Sequence, residues 1–580
     1  MEDQPEAGRI YPLTPDAKAE LLGKTKLPLL DPLNYFNDYG HKKILARVRS
    51  IEKRLHPILY KNKNLSGAAK ESIRGMFHPL ACTAFYQWFL IKDVGPWLIK
   101  YENSWCHCNE LKFAHKMMFA ERHSEGEGIF RSLTLPKPYF HLFYNLVNWF
   151  FILFLKGKRS IWVTGLAHGM LDLINNIKIK DPDAKILILS KTSNRESFVR
   201  YIKQLLDVVI YKNNIINIIS TSYSRNRPSK DLDRLLRIIR DPVILNVLDT
   251  FYFLLGDAIF YTESMLDSTT DFIARTKPLA YLSYNMRWLE PAVVGEATKR
   301  NDFKSILISH GSHSYYGGKS AEYEHKELAQ GLLTSFLATD VVVQSKSAER
   351  TSLELMPNLS RLPFQPMMWG YKNVQEKVSH NDQIRTILHA GTVKYLGQRP
   401  WIYETSNEFI QGLRILIDAV SHLKNTRLVI RARPNIECSI DSLTKLLPFT
   451  NNCEIQSSGN FLDDLTNADL LISYSSTTIE EALYARKPVG LFGGSDRYRH
   501  LPGSAEPPTI NNRSAVYHLS ENNLVTLLNS ILDVHASKPL TDDELQNYTW
   551  SRNIPGREEF INTILNLNKE AFYEKKHQLH

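Results

Sequence analysis

The sequence predicts an α/β protein with two doubly wound, Rossmann-like lobes behind a mostly helical N-terminal accessory region. Short apolar segments alternate with helix-length segments from residue 159 to about 345, and a second series of the same kind begins near 384. Alternation of strands and helices is typical of parallel sheets that carry helices on both faces. A length of 580 residues also favours several folding units, since one domain usually takes about 100–200 residues.

The first series contains strand-length apolar segments separated by helix-length segments. The longest predicted helix, Leu232–Leu266, is interrupted at Asp241-Pro242. The predicted strands are Ser160–Gly165, Ala184–Ser190, Asp207–Ile210, Pro278–Ser283, Ser305–Ser309 and Asp340–Gln344. They predict the sheet of the N-terminal lobe.

The second series follows a proline-containing segment, Pro357–Ser379, which we interpret as the linker between the lobes. Its predicted strands are Arg385–Gly391, Thr426–Ile430, Cys453–Gln456, Asp469–Ser473 and Pro488–Phe492. The predicted domains are a helical accessory region (1–135), an N-terminal acceptor lobe (136–360), a C-terminal nucleotide-sugar (donor) lobe (380–540) and C-terminal helices (541–580).

Ligands of open parallel sheets bind at the carboxyl ends of the strands, so the loops that follow the strands are the candidate sites. The loop after Asp469–Ser473 holds Ser475, Ser476 and Thr477 at the start of a predicted helix, with Glu480 and Glu481 one turn further on. Hydroxyl groups and free backbone N–H groups at a helix start can bind an anion. The same residues also fit an ordinary helix cap with acidic residues in the first turn.

The full segment from Asp469 to Gly493 resembles the nucleotide-binding half of GT-B glycosyltransferases. The resemblance is to enzymes of bacterial surface polysaccharides (capsule and lipopolysaccharide, of the Kdo- or CDP-glycerol-transferase-like type) and to the related UDP-sugar 2-epimerases. It covers 384–535 and, by layout only, 160–345. It implies that Ser475, Ser476 and Thr477 contact the donor phosphate and that Glu481 contacts the ribose.

Two more loops of the donor lobe carry candidate residues. Gly391 and Thr392 end the first strand, where GT-B enzymes bring the backbone close to the donor phosphate. Arg433-Pro434 follows the second strand, where enzymes that use CMP-linked sugars or CDP-glycerol often have His-Pro. Arginine binds phosphate through its planar fork, but this difference leaves the nucleotide open. A plain strand-ending turn and a surface arginine are the alternative interpretations.

Two His-Gly turns in the N-terminal lobe follow predicted strands. His168 and His310 are the candidate catalytic bases, because a histidine pKa near 6.5 suits removal of the acceptor proton. Loops similar to the one at His310 occur in surface-polymer transferases. The acidic alternatives, for a base or a nucleophile, are Asp267, Asp271, Glu290 and Glu296.

We expect no metal and no cofactor, the nucleotide-sugar being a substrate. Asp181-Pro-Asp183 precedes a strand and is therefore expected at the end of the sheet away from the cleft, and Cys106-His107-Cys108 lacks a second ligand pair at zinc-finger spacing. The chain has no P-loop, no G-x-G-x-x-G and no G-x-S-x-G motif. Metal-independent transfer fits the two-lobed class that the chain resembles.

Composition limits the partners and the compartment. The net charge of +10 suits phosphate-bearing substrates or an anionic membrane surface, and no nucleic-acid recognition signature is present. Five cysteines and an acidic N-terminus predict a cytoplasmic protein. The aromatic stretch 139–155, followed by basic residues, predicts a buried or interfacial helix rather than a membrane span, consistent with peripheral binding to the inner face of the inner membrane.

Together these observations predict a glycosyltransferase that moves a sugar from a nucleotide-activated donor, such as CMP-Kdo, to a surface-polysaccharide or glycolipid acceptor. A polyol-phosphate transferase and a sugar-nucleotide 2-epimerase are the enzyme alternatives, although an epimerase chain is usually shorter. A degenerate lobe pair that serves as a scaffold or glycan-binding subunit is the non-enzyme alternative.

Overall fold

The structure is a computed structural model. It describes residues 9–31, 37–94, 98–101, 104–107, 149, 151–153, 155, 158–165, 169–190, 215–219, 239–287, 289–369, 384–391, 398–433, 438–448, 450–535 and 538–577. The predicted helix Ser193–Leu206, the predicted strand Asp207–Ile210 and most of the aromatic stretch 139–155 lie outside these residues. Within the described part of the chain, no helix is both long and apolar enough to cross a membrane.

The N-terminal region combines three helices with a small sheet. The helices are α1 (Pro15–Leu21), α2 (Asp38–Lys61) and α3 (Gly67–Val94). Strand β1 (Ile10–Pro12) pairs parallel with β2 (Leu98–Tyr101), which pairs antiparallel with β3 (Ser104–His107). The sequence analysis found no strands here, because segments of three or four residues are too short to show strand periodicity.

The N-terminal lobe holds a sheet of seven parallel strands in the order β10-β9-β8-β7-β4-β5-β6. The strands are β4 (Ser160–Thr164), β5 (Lys185–Ser190), β6 (Ile215–Ile219), β7 (Ala280–Ser283), β8 (Lys304–Ile308), β9 (Asp340–Val343) and β10 (Ser360–Pro363). The accompanying helices are α4 (Met170–Lys180), α5 (Pro242–Asn246), α6 (Leu248–Thr276), α7 (Leu289–Arg300), α8 (Lys319–Ala329) and α9 (Lys346–Leu355).

Alternating side chains of this sheet enter two separate cores. Trp162, Tyr281 and Leu307 pack in a core with α2, α3, α6 and α7. Ile161 and Val163, which point to the opposite face, pack with α4 and with the C-terminal helix α16 (Arg557–His577). Both faces are therefore apolar, as expected of a parallel sheet. The N-terminal helices and the last helix of the chain are part of the packing of this lobe.

The interpretation of Pro357–Ser379 as linker is wrong at its start, because β10 lies inside that segment. Ser360–Pro363 pairs with β9 at the edge of the sheet. A proline tolerates an edge position because one side of the strand has no partner to receive an N–H. The prolines therefore indicated an edge strand as well as a connection.

The C-terminal lobe has six parallel strands in the order β13-β12-β11-β14-β15-β16. The strands are β11 (Arg385–Gly391), β12 (Thr426–Ala432), β13 (Cys453–Gln456), β14 (Leu470–Ser473), β15 (Val489–Leu491) and β16 (Val516–His518). The helices are α10 (Ser406–Ser421), α11 (Ile440–Leu446), α12 (Phe461–Asn467), α13 (Thr478–Tyr484), α14 (Leu524–His535) and α15 (Asp542–Leu545). The analysis of the sequence missed the three-residue strand β16.

The predicted fold class is confirmed, since both lobes contain a doubly wound parallel sheet. The strand order reverses between β4 and β7 in one lobe and between β11 and β14 in the other. The loops at such reversals form a crevice at the carboxyl end of the sheet. These are the loops that carry most of the candidate residues.

Buried polar contacts join the two lobes. Glu327 on α8 accepts a hydrogen bond from Arg287 of its own lobe at 2.6 Å and another from Arg399, which precedes α10. Burial raises the pKa of Glu327, but the two guanidinium groups outweigh it and hold the pKa below its usual range. This carboxylate is therefore ionised and fixes the C-terminal lobe against α8.

Candidate active site

The turn after β14 lies between the two lobes. Tyr474 is buried, with its ring 5.6 Å from the ring of Tyr498, while Ser475, Ser476 and Thr477 are half-buried. The Thr477 side chain makes no cap hydrogen bond to α13. The Ser476 hydroxyl accepts from the Thr478 N–H at 3.3 Å. The turn thus presents hydroxyl groups to the cleft, of which only that of Ser476 caps the helix.

Helix α13 has seven residues. A helix this short has few aligned peptide dipoles to add to the field at its N-terminus. An anion at this turn would be held mainly by the hydroxyl and N–H groups themselves. The predicted phosphate site would therefore depend on individual hydrogen bonds more than on the helix dipole.

The His-Gly loop after β8 meets this turn from the other lobe. A Cβ atom on Gly311 would lie 3.2 Å from Cγ2 of Thr477. The backbone N–H of Ser312 donates a hydrogen bond to Oε1 of Glu480 on α13. The candidate donor turn and the candidate catalytic loop are therefore in direct contact, although they are far apart in the sequence.

Three loops of the N-terminal lobe are brought together beside this junction. Gly165 follows β4 with φ +74°, and a Cβ there would collide with the ring of Tyr284, which follows β7. The Tyr284 ring lies 6.2 Å from that of His310. Glycine at 165 thus allows the close approach of two strand-end loops at the point where the strand order reverses.

His310 belongs to a group of imidazoles. Its ring centroid lies 5.0 Å from that of His313, whose backbone is left-handed (φ 47°). Burial, and then the neighbouring His310, lowers the pKa of His313 well below its usual value. Burial, and then His500, does the same to the pKa of His325. Both imidazoles are therefore neutral at neutral pH.

The segment after β15 supplies site residues that the sequence analysis did not single out. The Tyr498 hydroxyl lies 2.7 Å from Nε2 of His325 and 2.8 Å from Nδ1 of His500. Nε2 of His500 lies 3.9 Å from Oε1 of Glu480. Arg497, in the same segment, is ion-paired with Glu408. Asp496-Arg-Tyr-Arg-His500 follows a predicted strand closely, and its position at a strand's carboxyl end was the signal.

Glu481, the predicted ribose contact, is half-buried in the first turn of α13. Burial, and then the neighbouring Glu480, raises its pKa to about 8. No hydrogen bond joins its carboxyl group to another described residue. A carboxyl in this position has its hydrogen-bonding capacity available to a ligand.

The candidate donor-binding residues in the loops after β11 and β12 differ in their contacts. A Cβ on Gly391 would lie 3.2 Å from both the His389 ring and the Phe409 ring, so the backbone there is close to aromatic groups. Arg433 is exposed and contacts no described side chain. Arg431, two residues earlier, donates to Asp464 at 2.8 Å and to the carbonyls of Ser458 and Gly459. Only Arg433 is thus available for a ligand.

His168 and Thr392 lie outside the described residues. The chain on one side of His168 is fixed, since the Gly169 N–H donates to the carbonyl of Met368 at 2.9 Å. The acidic alternatives are mostly engaged elsewhere: Glu296 pairs with Arg300 and Asp271 with Arg275. Asp267 is exposed on α6, and Glu290 is half-buried at the start of α7.

The assembled groups suit the binding of a phosphorylated ligand and the removal of a proton. Hydroxyl groups, backbone N–H groups and Arg433 lie on the side of the C-terminal lobe. Imidazoles lie on the other side, within reach of the same turn.

No protein-family model and no curated protein matches the chain. Among solved structures, the UDP-GlcNAc 2-epimerase of Methanocaldococcus jannaschii is 12% identical to this chain, with a TM-score of 0.38. The match covers 71% of this chain and 99% of that chain. The enzyme of Neisseria meningitidis bound to UDP-GlcNAc is 11% identical, with a TM-score of 0.36 and coverages of 70% and 99%. A glycosyltransferase of Rickettsia africae is 14% identical, with a TM-score of 0.35 and coverages of 72% and 98%. These likenesses are too weak to identify an activity.

Proposed function

We propose that the protein is a GT-B-type glycosyltransferase that moves a sugar from a nucleotide-activated donor to a surface-polysaccharide or glycolipid acceptor. The C-terminal lobe binds the donor, and the N-terminal lobe binds the acceptor and removes its proton. The observation that carries this proposal is the junction of Gly311 and Ser312 with Thr477 and Glu480. It places a histidine loop of one lobe against the hydroxyl turn of the other.

The donor phosphate lies against the turn Ser475–Thr477, with Gly391 and Thr392 beside it and Arg433 approaching from the neighbouring strand. Charge that develops on the leaving phosphate is stabilised by N–H groups, hydroxyls and a guanidinium, without a metal. Such fixed donors are more effective in a cleft that excludes water. Glu481 accepts from the ribose hydroxyls.

The acceptor hydroxyl lies on the other side of the donor sugar, near His310. That imidazole, or His168 in the loop after β4, takes the acceptor proton as the new glycosidic bond forms. His313 packs edge to face against His310 and is neutral, so it adds no positive charge that would disfavour protonation of its neighbour. A CMP-linked acidic sugar such as CMP-Kdo is the donor that best fits the basic protein.

The acceptor is a lipid-linked or polymer-linked glycan on the cytoplasmic face of the inner membrane. The aromatic stretch 139–155 and the net charge of +10 favour docking to anionic lipid. Flotation with vesicles that contain anionic lipid tests this step. Equal recovery with neutral and anionic vesicles would contradict it.

The activity is tested by incubating the protein with CMP-, UDP- and GDP-linked sugars and measuring nucleotide release with and without a membrane-glycan extract. Release that depends on the extract supports a glycosyltransferase. A product with the glycerol- or ribitol-phosphate group attached would identify a polyol-phosphate transferase instead. Conversion of the sugar nucleotide without any acceptor would identify a 2-epimerase.

A scaffold or glycan-binding subunit has no need of the candidate residues. His310→Ala and Glu481→Ala should abolish or strongly reduce nucleotide release if the protein is an enzyme. Asp418→Ala, on the exposed surface of α10, is the matched control. Cellular function retained by both site variants would favour the scaffold.

A further inference from the structure

We propose that His78, Cys82 and Glu324 bind a structural zinc ion in the interior of the N-terminal lobe. His78 and Cys82 are one turn apart on α3, and Glu324 reaches them from α8. All three side chains are fully buried, and their ligand atoms lie within 4.8 Å of one another. This site is separate from the candidate active site and was not predicted from the sequence.

The distances fit a shared cation, and the separation between His78 and Glu324 is longer than an ordinary hydrogen bond. Nε2 of His78 lies 3.5 Å from Sγ of Cys82 and 3.5 Å from Oε1 of Glu324. An N–H···O hydrogen bond is usually 2.7–3.2 Å long. Two ligands of one tetrahedral zinc ion, at about 2.0–2.3 Å from the metal, are about 3.4–3.6 Å apart. Both measured separations match this distance between two zinc ligands.

The two carboxylate oxygens of Glu324 have different surroundings, as expected of a carboxylate that binds a metal through one oxygen. Its Oε2 accepts from the N–H groups of Trp401 and Ile402, each at 2.9 Å. Its Oε1 is buried and accepts no hydrogen bond from any residue that the structure describes. A buried carboxylate oxygen without a donor is costly unless a cation lies beside it. Oε1 points toward the same nitrogen of His78 that Cys82 approaches.

The other nitrogen of His78 is held as in many zinc-bound histidines. Nδ1 lies 3.1 Å from Oε1 of Glu52, and Glu52 also accepts from the Tyr323 hydroxyl. A carboxylate on one ring nitrogen places the proton there and leaves the lone pair of Nε2 for a metal. Glu52 would therefore orient the histidine without binding the ion.

The chemical types of the three side chains indicate which metal would bind, and their burial indicates its role. Imidazole, thiolate and carboxylate together suit Zn²⁺. Three protein ligands leave one tetrahedral position, which we assign to a bound water because no substrate can reach a fully buried site. The ion would join α3 to α8, and through the second oxygen of Glu324 it would fix the C-terminal lobe at Trp401. Its role would be structural.

The test measures zinc per chain in protein from zinc-replete cells after removal of free metal. We expect close to one zinc ion per chain in the wild type, a strong loss in Cys82→Ala and Glu324→Gln, and no loss in Cys453→Ala. Cys453 is a half-buried cysteine of β13 and serves as the matched control. A wild type that retains no stoichiometric zinc overturns the proposal and leaves a protonated His78 between two carboxylates.

A second measurement separates this site from Cys106-His107-Cys108. Cobalt-substituted protein in which Cys106 and Cys108 are both changed to serine should keep the near-ultraviolet thiolate-to-cobalt absorption. Loss of this absorption in the double serine variant, together with unchanged metal content in Cys82→Ala, would show that Cys106-His107-Cys108 binds the metal instead. Either result is decisive.

Discussion

The Ser312 N–H donates a hydrogen bond to Glu480, and this contact joins the loop after β8 to the helix after β14. Glu480 is 3% exposed, and within the described part of the chain its second oxygen has no hydrogen-bond partner. The sequence places Glu480 in the first turn of the helix that follows the candidate phosphate turn. Its observed role is to hold the histidine loop of one lobe opposite the hydroxyl turn of the other.

Replacing Glu480 tests this role. Glu480→Ala leaves the buried Ser312 N–H without an acceptor, which costs about 1–3 kcal/mol. Glu480→Gln keeps an acceptor oxygen and should lose much less. Urea unfolding of both variants measures the difference. Equal stability of the alanine and glutamine variants would show that the contact does not matter for the lobe arrangement.

The hydroxyls of the donor turn should contribute to nucleotide affinity, and that of Ser476 also caps α13 by accepting from the Thr478 N–H. A hydrogen bond to a charged group contributes about 1.5–3 kcal/mol, so Ser476→Ala with Thr477→Val should weaken nucleotide binding at least tenfold. Isothermal titration with the preferred nucleotide measures this. Thr444→Val, in which an exposed threonine of α11 is changed, is the control and should bind normally. Unchanged affinity in the double variant would remove the turn from the site.

Two arginines on the same strand end should behave differently. Arg433→Ala should weaken nucleotide binding with little change in unfolding temperature, because Arg433 contacts no described side chain. Arg431→Ala should lower the unfolding temperature, because Arg431 holds Asp464 and the Ser458 carbonyl. Parallel thermal melts and titrations separate the two effects. Loss of stability without loss of binding in Arg433→Ala would contradict the assignment.

Glu404 should make stability fall as the pH rises. Burial raises its pKa to about 8 from a model-peptide value of 4.5, so between these values the folded protein keeps a proton that the unfolded chain releases. The stability contribution is complete below pH 4.5 and is lost progressively up to pH 8, with a slope of at most about 1.4 kcal/mol per pH unit. Glu404→Gln keeps an acceptor for the Gly494 N–H and should flatten this slope. Urea unfolding across that range measures it, and an unchanged slope would contradict the raised pKa.

Much of the fold could be predicted from the sequence. Strands such as Arg385–Gly391 and Lys185–Ser190 are apolar runs long enough to be recognised. The hydroxyl turn follows another such strand, Leu470–Ser473. Helix α16 was also recognised, but its packing against the N-terminal lobe was not. Phe560 contacts Phe364 with ring centroids 5.1 Å apart, and such a contact depends on tertiary structure that local periodicity does not encode.

The site was predictable in part. Hydroxyls after β14 and His310 after β8 were found because each follows a strand end. Their direct contact, and the participation of Tyr498, depend on how the two lobes pack. The buried group at His78 was missed for the same reason, because its third ligand comes from a helix distant in sequence.

Nucleotide binding tests the central claim most directly. In a thermal-shift or unfolding experiment with CMP, CDP, UDP and GDP, at least one nucleotide at about 100 times its dissociation constant should add about 2.7 kcal/mol of stability. The response should be lost in the Ser476→Ala and Thr477→Val double variant and kept in Thr444→Val. No response to any of the four nucleotides would contradict a donor site in the C-terminal lobe.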